Sequence, residues 1–534
     1  MIHSYLLTTI SVVFGIIILV LLSQKLKIAY PIFLVIAGLI ISLLPETPTI
    51  KIDPDLIFLI FLPPILFEAS WFTSWNEFRA YRKQIFSFAF GLVFLSSLII
   101  AYFSFYYIAG ATLAIGFLIG GIISPPDAVA ATSVIKNLKI PKKVTTILEG
   151  ESLINDAASL IIFKFALAAI VTSSFVIQDA ILDFFLMAIG GIVVGLSIGY
   201  ISGYLLKKTP PNTNVDTVFT ILVPYIVYIL AEYFEFSGVL AVVASGLMMS
   251  YNISYLTHSS RIQATNVWSI IIFLINAFIF LLIGLELPNI ISSLSTHSLY
   301  LGIKYGALLS LVLLVIRIIY CFISIYAPWY FSKNRRKEEP APSWKDTLVI
   351  GFAAMRGVVS LAAALSLPTV IANGAPFPHR DFILYVTFVT IIITLVIQGL
   401  LLPLILKLLH YGDTSPNLTV EKQELQIKKY LMSDSLNLIN KRLSEGNDEV
   451  NFMLFYKRKL ENNLDYLEHE EQWTLSPKSF MRYKNDNTKI ALFIIHKQRH
   501  LLHELKKEKI YDEEIIRKIS LQLDYNEMEI TGFK

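Results

Sequence analysis

The sequence holds one cysteine, Cys321, in 534 residues, which excludes a disulfide-stapled secreted scaffold. Charge is also scarce: 16% of residues are charged, where a soluble globular chain has about a quarter. That is too little to cover a water-facing surface. The formal net charge of +4 is too small, for this length, to point to a nucleic-acid binder. Neither His-Glu-x-x-His nor Gly-x-Ser-x-Gly occurs, so nothing marks a membrane-embedded enzyme. What the chain does have is apolar. Hydrophobic residues make up 55% and aromatics 13%, and the mean hydropathy is +0.64, which excludes disorder. A multi-pass membrane protein remains.

The charge is unevenly placed. Residues 412–534 hold 41 charged side chains in 123 positions, 20 Lys+Arg and 21 Asp+Glu, against 43 in the first 411. The change after His410-Tyr411 separates a membrane domain, 1–411, from a water-facing domain, 412–534. Patterns such as Leu425-Ile427-Tyr430-Leu431, Ile490 to Leu505 and Ile515 to Leu523, with both signs of charge interleaved, make the second domain small and helical.

A helix needs about 20 apolar residues to cross about 30 Å of hydrocarbon. Thirteen runs are read, roughly 4–24, 28–44, 54–72, 84–109, 111–135, 146–173, 179–206, 216–233, 237–251, 266–287, 299–327, 345–370 and 382–408. The first has no small-residue cleavage site before Gln24-Lys25, so it reads as a span and not as a signal peptide. Loops after the odd-numbered spans, up to the eleventh, carry 17 Lys+Arg, with Lys345 counted at a span edge. The alternate loops carry two, Lys51 and Arg380. Positive charge stays on the cytoplasmic side. The N-terminus is therefore expected outside and the C-terminal domain inside.

A charge at bilayer depth costs at least about 2.5–3.5 kcal/mol on insertion scales, so it faces protein or a water-filled cavity. Such residues are few here: Glu68 in span 3, Asp127 in span 5, Glu151, Asp156 and Lys164 in span 6, Arg317 in span 11 and Arg356 in span 12. Ser152 and Asp156 are four apart on a helix, as are Glu151 and Asn155 one residue round. Together they make a polar stripe suited to lining a cavity. Asp156, in the densest polar cluster, is the expected ion or proton site. The others keep two readings each. Asp127 is a helix cap or a ligand. Glu151 and Arg356 form a salt bridge that holds the fold, or they touch the substrate. Glu68 and Arg317 are accessory to transport or structural, as a pair or near the interfaces. Lys164 is accessory or balances local charge.

Pro125 and Pro126 remove two backbone donors and clash with the preceding turn, so span 5 should break or kink there. Non-helical backbone is tolerated at that depth only in protein or beside a cavity. Asp127, just after the prolines, can cap the new helix start. Span 12, with Gly351 and Gly357 around Arg356, is the counterpart seven spans on. Broken helices at matching positions of two halves point to a transporter's binding site. Pro63-Pro64 is expected to do no more than kink span 3.

These residues resemble the monovalent cation/proton antiporter family that includes the Na+/H+ exchangers. Gly150-Glu151-Ser152-Leu153-Ile154-Asn155-Asp156 matches its most specific motif. Phe61-Leu62-Pro63-Pro64-Ile65-Leu66-Phe67-Glu68 and Met355-Arg356-Gly357-Val358 match two more, in order. Ser124-Pro125-Pro126-Asp127-Ala128 and the end of the tail suggest the bacterial branch. The resemblance implies an all-α fold with two inverted six-helix repeats and crossed broken helices. It also implies a homodimer in the cytoplasmic membrane whose core domain moves in elevator fashion. It gives Asp156 the cation and the proton in turn, with Ser152 and Asn155 completing the site. Glu151 would pair with Arg356, and Asp127 would hold the crossed half-helices. Many relatives have threonine where this chain has Pro126, so their threonine ligand does not transfer.

Exchange follows from one carboxylate that must lose its proton to accept Na+. If the loaded site is neutral in both states, one-for-one exchange moves no net charge, and relatives with Asn-Asp here are regarded as electroneutral. No cofactor is expected, since Na+ and H+ are cargo, and the activity implies pH homeostasis. A K+/H+ antiporter or a cation channel is the alternative; no selectivity-filter run supports the channel. A sensor acting through the tail is a weaker idea.

Overall fold

The computed structural model describes residues 2–44, 57–73, 75–135, 140–172, 177–210, 212–252, 255–292, 294–332, 336, 341–371 and 375–409. It also describes a discontinuous set of helical positions between 429 and 527. Lys51, Lys136 and Lys139, and most of the tail pattern from Ile515 to Leu523, lie outside these residues. The chain forms two compact units, Met1–Thr414 and Ser415–Lys534.

The described residues of the first unit are nearly all helical or connecting. Its helices begin with α1 (Ile2–Leu26), α2 (Tyr30–Ser42) and α3 (Leu62–Phe72), the last entered through a π-helical turn, Ile57–Phe61. Next, α4 (Trp75–Phe86) runs through a second π-helical stretch, Ser87–Leu92, into α5 (Val93–Tyr107). There follow α6 (Leu113–Ile123), α7 (Ala128–Ile135), α8 (Lys142–Thr172), α9 (Ile177–Lys208), α10 (Thr213–Tyr233), α11 (Gly238–Tyr251), α12 (His258–Leu285) and α13 (Leu287–Ile291). The unit ends with α14 (Thr296–Phe331), α15 (Trp344–Phe352), α16 (Val358–Leu365), α17 (Arg380–Ile392) and α18 (Gly399–Leu408), the last two joined by π-helical Ile393–Gln398. Helix occurs in each apolar run of the sequence. Among the described residues, 7 helical stretches are long and apolar enough to cross a membrane.

Local chemistry sets the helix starts. Thr112, Asn212, Ser237, Thr257, Ser295 and Ser343 each cap an N-terminus, with the side-chain oxygen accepting a backbone N–H of the first turn. Pro63 and Pro64 fall in the first turn of α3, where the missing N–H groups cost nothing. Outward faces are apolar: α1 exposes Ile10, Phe14 and Ile17, and α9 exposes Ile181, Phe185 and Ile189. Lipid, not water, is the solvent such faces match.

Small residues let helices approach closely where lipid supplies no driving force. Gly191, Gly195 and Gly199 recur at four-residue spacing along α9. A Cβ at Gly195 would stand 2.1 Å from the Ala241 carbonyl oxygen of α11. At the crossing of α2 with α12, a Cβ at Gly38 would stand 2.5 Å from the Leu281 carbonyl oxygen, and one at Gly284 would stand 2.4 Å from that of Val35. The apolar interior has two main parts. One surrounds α6, α15, α16 and α17; the other joins α3, α10, α11 and α12 through residues such as Phe67, Trp71 and Trp268. Trp268 satisfies its indole N–H on Thr220 Oγ1 at 3.1 Å. The described residues of the second unit are helical, the longest stretch being 431–441; Ile495 and Leu523 are buried, and Arg499 pairs with Glu527.

Candidate ion-binding site at the helix breaks

The breaks fall where the sequence places them. With Pro125 and Pro126 unable to continue a helix, α6 stops at Ile123 and α7 starts at Ala128. The second break separates Phe352 from Val358. The two breaks meet as an antiparallel bridge, the Asp127 N–H donating to the Met355 carbonyl at 2.6 Å. Four helix ends therefore converge, and each leaves backbone groups without a helical partner.

Two charged residues serve these ends. Arg356 donates from Nε to the Ile123 carbonyl at 3.0 Å and from Nη1 to the Ala354 carbonyl at 2.9 Å. Its cation thus sits at the carbonyl ends of α6 and α15, where the helix dipoles are negative. Asp127 does the converse. Its Oδ1 accepts the Val129 N–H at 2.8 Å, capping α7, and its Oδ2 lies against Gly357, the residue before α16. A Cβ at Gly357 would stand 1.8 Å from that oxygen. Gly357→Ala is therefore expected to push the carboxylate from its place and to lower both transport and thermal stability. Overpacking of this kind costs about 1–3 kcal/mol; an unchanged melting midpoint and transport rate would contradict this geometry.

The polar stripe of α8 packs on the same crossing. Ser152 Oγ accepts the Ala128 N–H at 3.2 Å, and Asn155 Nδ2 donates to the Pro126 carbonyl at 2.9 Å. Asn155 itself is fully buried, and its Oδ1 has no hydrogen-bond partner among the described residues. A buried acceptor left open is costly unless something visits it. Asp156, 8% exposed, lies within electrostatic reach of Asp127. Both carboxylates and Ser152 line a cavity of about 1610 Å³ that extends to Gln24 and Lys27 at the end of α1. Glu68 of α3 and Asn276 of α12 also line it. Carboxylate, amide and hydroxyl oxygens are the donor set a hard cation prefers.

One expected pairing is corrected. Glu151 is bound by Arg317, not by Arg356: Nη1 and Nη2 of Arg317 reach Oε1 and Oε2 of Glu151 at 2.5 and 2.7 Å. The Arg317 Nε donates to the Ile350 carbonyl at 3.3 Å. Only a guanidinium facing the carboxylate from a neighbouring helix can make that two-pronged contact, and α14 supplies it, while the donors of Arg356 are directed to the broken helix ends. Arg356 stays within electrostatic reach of Glu151 and Arg317. The alternative Glu68–Arg317 pair is likewise replaced. Lys164 pairs with Glu232 at 3.2 Å at an exposed position and is not among the cavity residues.

Three polar residues not singled out from the sequence support the second break. Thr394 Oγ1 accepts the Arg356 N–H at 3.2 Å and donates to the Thr390 carbonyl at 2.8 Å. Gln398 Nε2 donates to the Phe352 carbonyl. Thr390, Thr394 and Gln398 recur every four residues, the same spacing that exposed the α8 stripe. Asn276, a lone buried amide in an uncharged stretch, was the other available signal. Among the described residues no group of three His, Cys, Asp or Glu is placed to hold a metal ion.

Crossed, broken helices with buried carboxylates at their meeting point are the architecture of a secondary membrane transporter. The family described as "Sodium/hydrogen exchanger, transmembrane" matches residues 10–408, and the chain belongs to it. Among curated relatives, the sodium, potassium, lithium and rubidium/H+ antiporter of Bacillus pumilus is 30% identical over 82% of this chain and 66% of its own length. Its counterpart in Bacillus subtilis is 30% identical over 71% and 58%. The chain thus spans about two thirds or less of the length of these two relatives. An uncharacterized Na+/H+ exchanger of Escherichia coli, YjcE, is 31% identical over 70% of each chain. The solved structure of the sodium proton antiporter MjNhaP1 from Methanocaldococcus jannaschii has the same fold, with a TM-score of 0.59 at 20% identity, covering 74% of this chain and 95% of that one.

Proposed function

We propose that the protein exchanges Na+, or Li+ or K+ in its place, for H+ across a bacterial cytoplasmic membrane by alternating access, one cation for one proton. Asp156 holds the cation and the proton in turn. Asn155 and Ser152 complete the cation's shell, and Asp127 fixes the crossing beside it. The observation that carries this reading is the Asp156 carboxylate facing the large cavity together with Ser152 and Asp127, preceded in α8 by a buried Asn155 oxygen that has no hydrogen-bond partner among the described residues. The cavity reaches the Lys27 end of the unit, the end that loop charge assigns to the cytoplasm. On this reading the cavity is the route between the site and the cytoplasm, and domain 412–534 is cytoplasmic. The working assembly is a homodimer. K+ is retained as cargo because the two Bacillus relatives are named for potassium as well as sodium.

Because both ligands need the same deprotonated oxygen, they compete. Below the pKa of the site, the apparent affinity for Na+ should fall about tenfold for each pH unit at constant maximal rate. Proteoliposomes loaded with a pH-sensitive dye measure this directly, with Na+ and K+ compared in parallel. An imposed membrane voltage should leave the exchange rate unchanged. A Na+ affinity that ignores pH would remove the shared carboxylate, and a rate that follows voltage would remove one-for-one exchange.

A further inference from the structure

A second cavity, of about 960 Å³, shares no lining residue with the ion site among the described residues. Arg79, Arg82 and Lys83 reach it from α4, spaced three and four residues apart on one helix face. Lys143 joins them from the first turn of α8. Among the described residues Asp346 is the single carboxylate on the wall, and it interacts with Lys143. Lys143 also lies 5.9 Å from the centre of the Tyr81 ring. Among the described residues none of the four cations makes an ion pair. Against that one carboxylate, four positive charges leave the hollow with a surplus of positive charge that an entering anion would offset.

The chemistry of the wall narrows the choice of anion. Two arginine forks suit the oxygens of a phosphate, which they grip in pairs, and the lysines add point charge. Ile325 and Trp329, near the end of α14, give the hollow an apolar flank. A basic hollow between helix ends with such a flank matches a phospholipid headgroup and its glycerol. We infer that this cavity is a binding site for a phosphate-bearing anion, separate from the transport site and independent of which cation is carried.

The test uses the full chain, purified in a neutral detergent, and follows its thermal unfolding midpoint. Phosphatidylglycerol, phosphatidylcholine and inorganic phosphate are titrated separately. The midpoint should rise with phosphatidylglycerol and not with phosphatidylcholine. In Arg79→Gln/Arg82→Gln the apparent affinity should weaken about tenfold or more. Lys143→Gln, a milder change, should weaken it in the same direction if the double variant fails to fold. Lys207→Gln/Lys208→Gln, a basic pair outside the cavity, should behave as the parent. A rise with phosphatidylglycerol alone identifies a lipid headgroup, and an equal rise with inorganic phosphate identifies the free anion; both support the site. No rise with either, or a rise that survives the Arg79/Arg82 and Lys143 variants unchanged, overturns it.

Discussion

Asp156→Asn should reduce cation-dependent proton movement to the level of empty vesicles while the protein still inserts and melts as the parent does. The substitution keeps the size of the side chain and most of its hydrogen-bonding capacity, and removes the one property exchange needs, a proton that leaves when a cation arrives. In everted membrane vesicles, adding Na+ should alkalinise the interior of those with the parent chain and leave those with the variant unchanged. Packing argues that stability is spared: Asp156 lines the cavity, and the hydrogen bonds that hold the crossing are made by its neighbours Asn155 and Ser152 and by Asp127. Residual exchange near the parental rate would transfer the role to another cavity carboxylate, with Asp127 and Glu68 next in line.

Sequence spacing revealed whatever lay along one helix. The α8 stripe was legible because positions four apart share a face; the first break was legible because Pro125-Pro126 cannot run on as helix, and the second because Gly351 and Gly357, which weaken a helix, flank a charge at bilayer depth. Partners across helices were hidden. Nothing in the spacing of Glu151 says whether span 11 or span 12 supplies its arginine. Both carry one at bilayer depth, and the choice depends on where α14 and α15 pass α8. The double role of Arg356, bonded to carbonyls 233 and 2 residues away, likewise follows from helix ends that converge only in the fold. The stripe Thr390, Thr394 and Gln398 was readable by the same four-residue rule. It carries no charge, so nothing about its placement at bilayer depth sets it apart from the many hydroxyl residues of the other spans.

The corrected ion pair carries the second large effect. Glu151 and Arg317 are about as buried as charges become, with side chains 1% and 2% exposed, and the pair is closed on both oxygens. Removing one partner leaves the other charged and uncompensated, which costs about 3–5 kcal/mol. Arg317→Ala and Glu151→Ala should each therefore lower the unfolding midpoint sharply and reduce the amount of protein recovered from membranes. Arg356 separates this pairing from the one expected at first. If Arg317 is the partner, Arg356→Lys should leave the Glu151 contact intact and disturb the broken helix ends, because lysine cannot address the Ile123 and Ala354 carbonyls with a planar fork. Replacing both partners, as in Glu151→Leu/Arg317→Met, should recover much of the stability lost in either single variant, since well-packed apolar residues often match or exceed a buried ion pair. Recovery from Glu151→Leu/Arg356→Met in its place would return the pairing to span 12. A double variant that folds and still exchanges cations would give the pair a purely structural role, and one that folds but does not transport would make the Glu151–Arg317 clamp part of the moving machinery.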